Sequence, residues 1–175
     1  MRINWIPNVI SLARIAAAVV LIWLATSDAR SWFVGLLLAA GLSDVLDGWV
    51  ARRFGWTSEL GSRLDSAADI ALVLAVIFGI RVFHPQVLLD HWPSVSAVLG
   101  IWSLVHAITL FRHRHLLSLH SYFIRLGMLL FGIFVLVLFF HSFVAWLFYP
   151  AMAVCFLGGV QNLLILFRSL AYRSG

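Results

Sequence analysis

Six apolar runs, each long enough to cross a bilayer as a helix, follow one another with only short polar breaks: residues 8–26, 31–51, 62–83, 94–111, 121–140 and 144–167. A lipid interior offers no water to backbone amides and carbonyls, so a spanning segment must satisfy them within itself or in a closed barrel. These runs lack the alternation of a barrel strand, and about 20 apolar residues is the length a helix needs to cross. The expected fold class is all-α: an integral membrane bundle of six transmembrane helices. Composition agrees, with 63% hydrophobic and 11% charged residues against about 45–50% apolar in soluble domains. Six spans use up most of the 175 residues, so 1–175 reads as a single membrane domain. Residues 1–7, with Arg2, Trp5, Ile6 and Pro7, read as a short interfacial segment at headgroup level. The first run contains Arg14, lacks a small-residue cleavage site and is followed by more spans, so it reads as a retained helix rather than a signal peptide.

The net charge of +5 comes from arginine alone, because all 12 basic residues are Arg. They lie mostly in the breaks between apolar runs. That placement suits anionic lipid headgroups and the setting of membrane orientation, and it argues against a nucleic-acid partner. Arg2, Arg52, Arg53, Arg63, Arg112, Arg114, Arg125, Arg168 and Arg173 cluster at one set of helix ends, whereas the opposite loops hold only Arg30 and Arg81. The positive-inside rule then puts both termini, with the second and fourth loops, in the cytoplasm. His84, Pro85, Asp90, His91 and Pro93 fall in an outer loop rich in helix breakers. Cys155 stands alone, which excludes a disulfide framework and a thiolate metal site.

Charges at membrane depth single out the second and third spans. Asp44, Asp47, Arg52, Asp65 and Asp69 sit near their cytoplasmic ends, and ionisable residues so placed are functional candidates. Asp44, Asp47, Gly48, Ala51 and Arg52 share one helix face, and Gly61, Asp65 and Asp69 share another, so two helices joined by a short loop can aim both faces at one point. One aspartate near a helix end is commonly a cap or an interfacial residue. Four gathered together repel by about 4 kcal/mol per pair at roughly 4 Å and an effective dielectric near 20. Arg52 alone does not balance them, and with no His or Cys among them, hard cations of the Mg²⁺ or Mn²⁺ type are the natural complement. Two such ions suit displacement at phosphorus. Gly48 and Gly61 read equally as helix-packing glycines or as room for a nucleotide to approach the backbone.

From Asp44 the residues DVLDGWVARRFGWTSELGSRLDSAAD have the form D-x2-D-G-x2-A-R-x8-G-x3-D-x3-D, with all eight fixed positions filled. This resembles the signature of the CDP-alcohol phosphatidyltransferase family. The opening IPNVISLARI, residues 6–15, is similar to the family's N-terminal Pro-Asn and following Arg, and six spans match its architecture. The resemblance implies an enzyme that moves a phosphatidyl group from CDP-diacylglycerol, or a related liponucleotide, to a small alcohol or alcohol phosphate and releases CMP. It implies two Mg²⁺ or Mn²⁺ ions held by Asp44, Asp47, Asp65 and Asp69, with Asp69 also the general base. It implies a CDP site lined by Gly48, Ala51, Arg52 and Gly61, an active site on the cytoplasmic side, and a homodimer.

The stretch looks most like the glycerol-phosphate and cardiolipin-type branch, but departs from it at Ser66, where Pro is usual, and at Ile70, where Lys is usual. Arg112, Arg114 and Arg125 either set orientation only or bind an acceptor phosphate; the second reading makes glycerol 3-phosphate the expected acceptor, with inositol phosphate, serine and phosphatidylglycerol as alternatives. Arg14 either snorkels to the surface or reaches the active-site cavity, and the resemblance favours the cavity. Trp23, Trp32, Trp92, Trp102 and Trp146 read as interfacial belt or packing residues. A reading from a different class, a membrane transporter with the carboxylates as its cation site, explains charges at depth but gives no use for the spaced Gly, Ala and Arg.

Overall fold

The computed structural model describes residues 6–54, 59–113 and 122–173, with side chains described at 9–43, 61, 64–109 and 122–167. Every element among them is a helix: α1 Ile6–Thr26, α2 Arg30–Phe54, α3 Glu59–Phe83, α4 Pro85–Asp90, α5 Trp92–His113, α6 Tyr122–Phe140 and α7 Ala145–Arg173. Five of them contain stretches long and apolar enough to cross a membrane: Val9–Thr26, Leu64–Phe83, Trp92–Thr109, Tyr122–Phe140 and Ala145–Phe167. In α2 the apolar part found among the described residues is the shorter Arg30–Ser43. The predicted interfacial segment falls largely on residues 1–5, outside the described ones.

Only 17% to 33% of each spanning stretch is buried within the protein, and large apolar side chains such as Leu12, Val19, Leu74, Leu129, Leu157 and Phe167 face outwards. A soluble protein confines such residues to its core; helices in lipid have no reason to, because acyl chains are as apolar as leucine. The predicted outer loop is more helical than its prolines suggest. Pro85 opens α4 and Pro93 is the second residue of α5, positions where the missing N–H would have no helical acceptor.

The chain forms two compact units, Met1–Leu88 and Leu89–Gly175. In the first, α1 packs against α3 and α2. The buried residues Ser11, Arg14, Ala18, Leu21 and Ala25 repeat at alternating spacings of three and four along α1, the seam of two helices that coil together. On α3 the buried Gly61, Ala68, Ala75 and Gly79 recur at spacings of seven, seven and four, and these small residues let helices approach closely. A tight turn joins α1 to α2: Ala29 N–H bonds Leu24 O at 2.9 Å, Asp28 N–H bonds Ala25 O at 3.3 Å, and Asp28 takes φ 53° at the left-handed capping position. At the far end of α3, Arg30 Nη2 donates to His84 Nε2 at 3.2 Å, and burial together with that guanidinium holds the His84 pKa below its ordinary value.

Phe33 of α2 is fully buried, and its ring lies over Gly79 of α3 where a Cβ would run into it. Gly79→Ala is therefore expected to destabilise the protein by about 1–3 kcal/mol, the usual cost of overpacking. A reversible unfolding titration in detergent measures this, and an unchanged midpoint would mean that Phe33 can swing away.

In the second unit α7 packs against α6 and α5. Gly158 lies against Ile124 and Gly159 against Ile101, while Phe134, Phe143 and Phe148 form an aromatic cluster with centroids 5.1–6.0 Å apart. His91 stacks on Phe143 at 4.3 Å and lies 3.2 Å from the Tyr149 hydroxyl. Trp23 and Trp32 flank the α1–α2 turn in the first unit, and Trp92 and Trp146 stand near the starts of α5 and α7 in the second; all four are exposed at helix ends, as belt residues are. Trp102 instead packs on His106 one turn away.

Candidate functional site

The α3 helix repeats every 3.6 residues, so Gly61, Asp65 and Asp69 fall one turn apart on one face. From α1, Arg14 reaches that face. Its Nη1 donates to Asp69 Oδ1 at 2.9 Å and its Nη2 donates to Asp65 Oδ1. The Arg14 side chain is 4% exposed, whereas those of Asp65 and Asp69 are 47% and 40% exposed. One guanidinium thus holds two carboxylates from the buried side and leaves their outer sides open to a ligand.

The local cause is the α1 seam. A seam position that would ordinarily carry Leu carries Arg14, and burying an arginine costs several kcal/mol unless its charge is met. Two aspartates one turn apart meet it, and without a cation between them they would repel. Arg14 does not snorkel to the surface: it is buried and turned toward Asp65 and Asp69.

The other predicted residues distribute as follows. Gly61 is buried on the carboxylate face. Asp44, Asp47, Gly48, Ala51 and Arg52 belong to the C-terminal part of α2, and their side chains lie outside the described residues. Arg125 is exposed in the first turn of α6; Arg112 lies in the last turn of α5 with its side chain outside the described residues, and the whole of Arg114 lies outside them. Among the described residues no three of His, Cys, Asp and Glu gather as a metal site. The donors that are described, Asp65 and Asp69, are both carboxylates, and oxygen donors of this kind fit Mg²⁺ or Mn²⁺.

Sequence reasoning did not single out Ser11, one turn before Arg14 on the same seam and buried. The signal was present: residues 11 and 14 are the polar members of a repeat that continues through 18, 21 and 25. It also passed over Thr109 and Asn162, buried on α5 and α7; Thr109 satisfies its hydroxyl on Val105 O at 2.7 Å.

A profile of the CDP-alcohol phosphatidyltransferase family matches residues 4–158. Among curated proteins, the chain is 36% identical over 85 residues to a cardiolipin synthase (CMP-forming) of Streptomyces coelicolor, covering 45% of this chain and 40% of that one. It is 38% identical over 86 residues to a chloroplastic CDP-diacylglycerol–glycerol-3-phosphate 3-phosphatidyltransferase of Oryza sativa, covering 46% and 25%. Against the human cardiolipin synthase (CMP-forming) it is 42% identical over 69 residues, covering 39% and 23%. The chain therefore spans less than half the length of these relatives. No solved structure matches it.

Proposed function

Because the chain belongs to the CDP-alcohol phosphatidyltransferase family, we propose that it transfers a phosphatidyl group from CDP-diacylglycerol to a small alcohol and releases CMP. The observation that carries this reading is the pairing of Asp65 and Asp69, two motif carboxylates, on one open face of α3 in a bundle of span-length apolar helices. The acceptor hydroxyl gives its proton to Asp69 while its oxygen bonds to the phosphorus that carries diacylglycerol; the bridging P–O bond breaks, and CMP leaves with the electron pair. Asp44, Asp47, Asp65 and Asp69 would hold two Mg²⁺ or Mn²⁺ ions. When bound, these ions lower the charge of the pyrophosphate and stabilise the attacking and leaving oxygens. Gly48, Ala51 and Gly61 leave room for the nucleotide, and Arg52 pairs with a phosphate.

Glycerol 3-phosphate is the proposed acceptor. In its support, one relative is a transferase named for glycerol 3-phosphate, and Arg112, Arg114 and Arg125 supply guanidinium forks suited to a phosphate dianion. Phosphatidylglycerol is the second reading, favoured by the two relatives named cardiolipin synthase. The test is CMP release by purified protein with CDP-diacylglycerol and, in parallel, glycerol 3-phosphate, phosphatidylglycerol, inositol phosphate and serine. Glycerol 3-phosphate is expected to be preferred, and Arg125→Ala to raise its KM severalfold with little change in kcat. A preference for serine, or an unchanged KM in Ala variants of all three arginines, would rule out a phosphate-ester acceptor.

Six spans, one domain and a homodimer complete the proposal. In support of a sixth span, α2 is 25 residues long, enough for about 37 Å of helix against a hydrocarbon core of about 30 Å. The family match runs through both compact units, which favours a single domain. We place both termini and the active site in the cytoplasm on the arginine bias. Single cysteines at positions 58 and 118, which lie outside the described residues, are expected to label from the cytoplasmic side and one at position 86 from the opposite side. The reverse pattern would overturn the orientation.

A further inference from the structure

Arg14 has a feature that the transfer reaction does not call for: it occupies the Oδ1 atoms of both described aspartates from inside the protein. An Mg²⁺ or Mn²⁺ ion at Asp65 and Asp69 needs carboxylate oxygens at about 2.0–2.1 Å, and a lone pair engaged by a guanidinium N–H is withdrawn from that use. The two cations also repel. We propose that Arg14 is a resident cation that holds Asp65 and Asp69 in register while divalent ions are absent and gives up part of its hold when they load. This rests on the reading of Asp65 and Asp69 as metal ligands.

Three observations support the exchange. Arg14 is 4% exposed, so its charge has no recourse to water and must be met by carboxylates in the metal-free protein. The aspartates are about half exposed on their other side, so an ion reaches them without displacing α1. A guanidinium stays charged at every working pH, so Arg14 itself remains a cation whether or not divalent ions are bound. Arg14 is on this account a positioning residue: it keeps the site assembled before loading, and its competition weakens the ions it makes room for.

The experiment measures Mn²⁺ binding by electron paramagnetic resonance, and thermal unfolding in chelator and in saturating Mg²⁺, for wild type, Arg14→Gln and Arg14→Lys. Arg14→Gln is expected to bind Mn²⁺ about tenfold more tightly than wild type, to unfold at a lower temperature in chelator, and to regain most of that loss in Mg²⁺. Arg14→Lys keeps the buried charge and folds even if Arg14→Gln does not; with one ammonium in place of the fork it should show intermediate Mn²⁺ affinity. A residue with a merely structural role would lower stability without tightening Mn²⁺. Binding in both variants that is equal to or weaker than in wild type overturns the proposal. A wild type that binds no Mn²⁺ overturns the metal reading and this proposal with it.

Discussion

Asp69→Asn is expected to cut CMP release by about two to four orders of magnitude, the range that a positioned general base contributes, while CDP-diacylglycerol still binds. The substitution changes little in shape. An asparagine Oδ1 can still accept the Nη1 hydrogen bond that Arg14 gives Asp69 at 2.9 Å, so α1 and α3 stay docked. What is lost is a negative charge able to take the proton of the acceptor hydroxyl. The same loss leaves Asp65 as the one described anionic partner of Arg14, so some loss of metal affinity accompanies the loss of turnover. Raising Mg²⁺ until turnover stops responding separates the two: the metal defect disappears and the proton-transfer defect remains. Asp65→Asn should behave in the opposite way, with activity partly restored by excess ion. Normal turnover in Asp69→Asn at saturating Mg²⁺ would remove it from the general-base role, and the remaining candidates would be a bound water or another motif carboxylate.

The parts of this molecule that were legible from sequence are those governed by local periodicity. Helical spacing alone puts Asp65 and Asp69 on one face, and the structure has them there under a single arginine. The partner itself was not decidable, because a lone Arg near the end of an apolar run can snorkel as easily as turn inward. Only the seam spacing of Ser11, Arg14, Ala18, Leu21 and Ala25 distinguishes the two, and that spacing matters only once α3 is known to lie against it. The connection after α3 was read as loop for a related reason. Pro85 and Pro93 break helices in their interiors, but near a first turn they begin them, and sequence does not say in advance where the turn falls.

Removal of divalent ions should have the largest effect of all: CMP release in excess chelator is expected to fall to background and to return with Mg²⁺ or Mn²⁺. The electrostatics leave little alternative under the proposed reading. Asp65 and Asp69 share the positive charge of Arg14, so the described part of the site is already net negative by about one charge before Asp44 and Asp47 are counted. A liponucleotide brings a pyrophosphate of the same sign. Each close pair of like charges costs about 4 kcal/mol at roughly 4 Å and an effective dielectric near 20, so substrate binding and attack at phosphorus both fail without cations to bridge them. The affected step can be identified. If the ions act on binding, chelator abolishes retention of CDP-diacylglycerol by the protein; if they act on the chemical step, the liponucleotide stays bound and no CMP appears. A Tm that falls in chelator and recovers in Mg²⁺ would place the ions in the folded site independently of turnover. Undiminished CMP release in excess chelator would mean that the carboxylates are not metal ligands, and the phosphoryl chemistry would then rest on Arg52 and the other arginines alone.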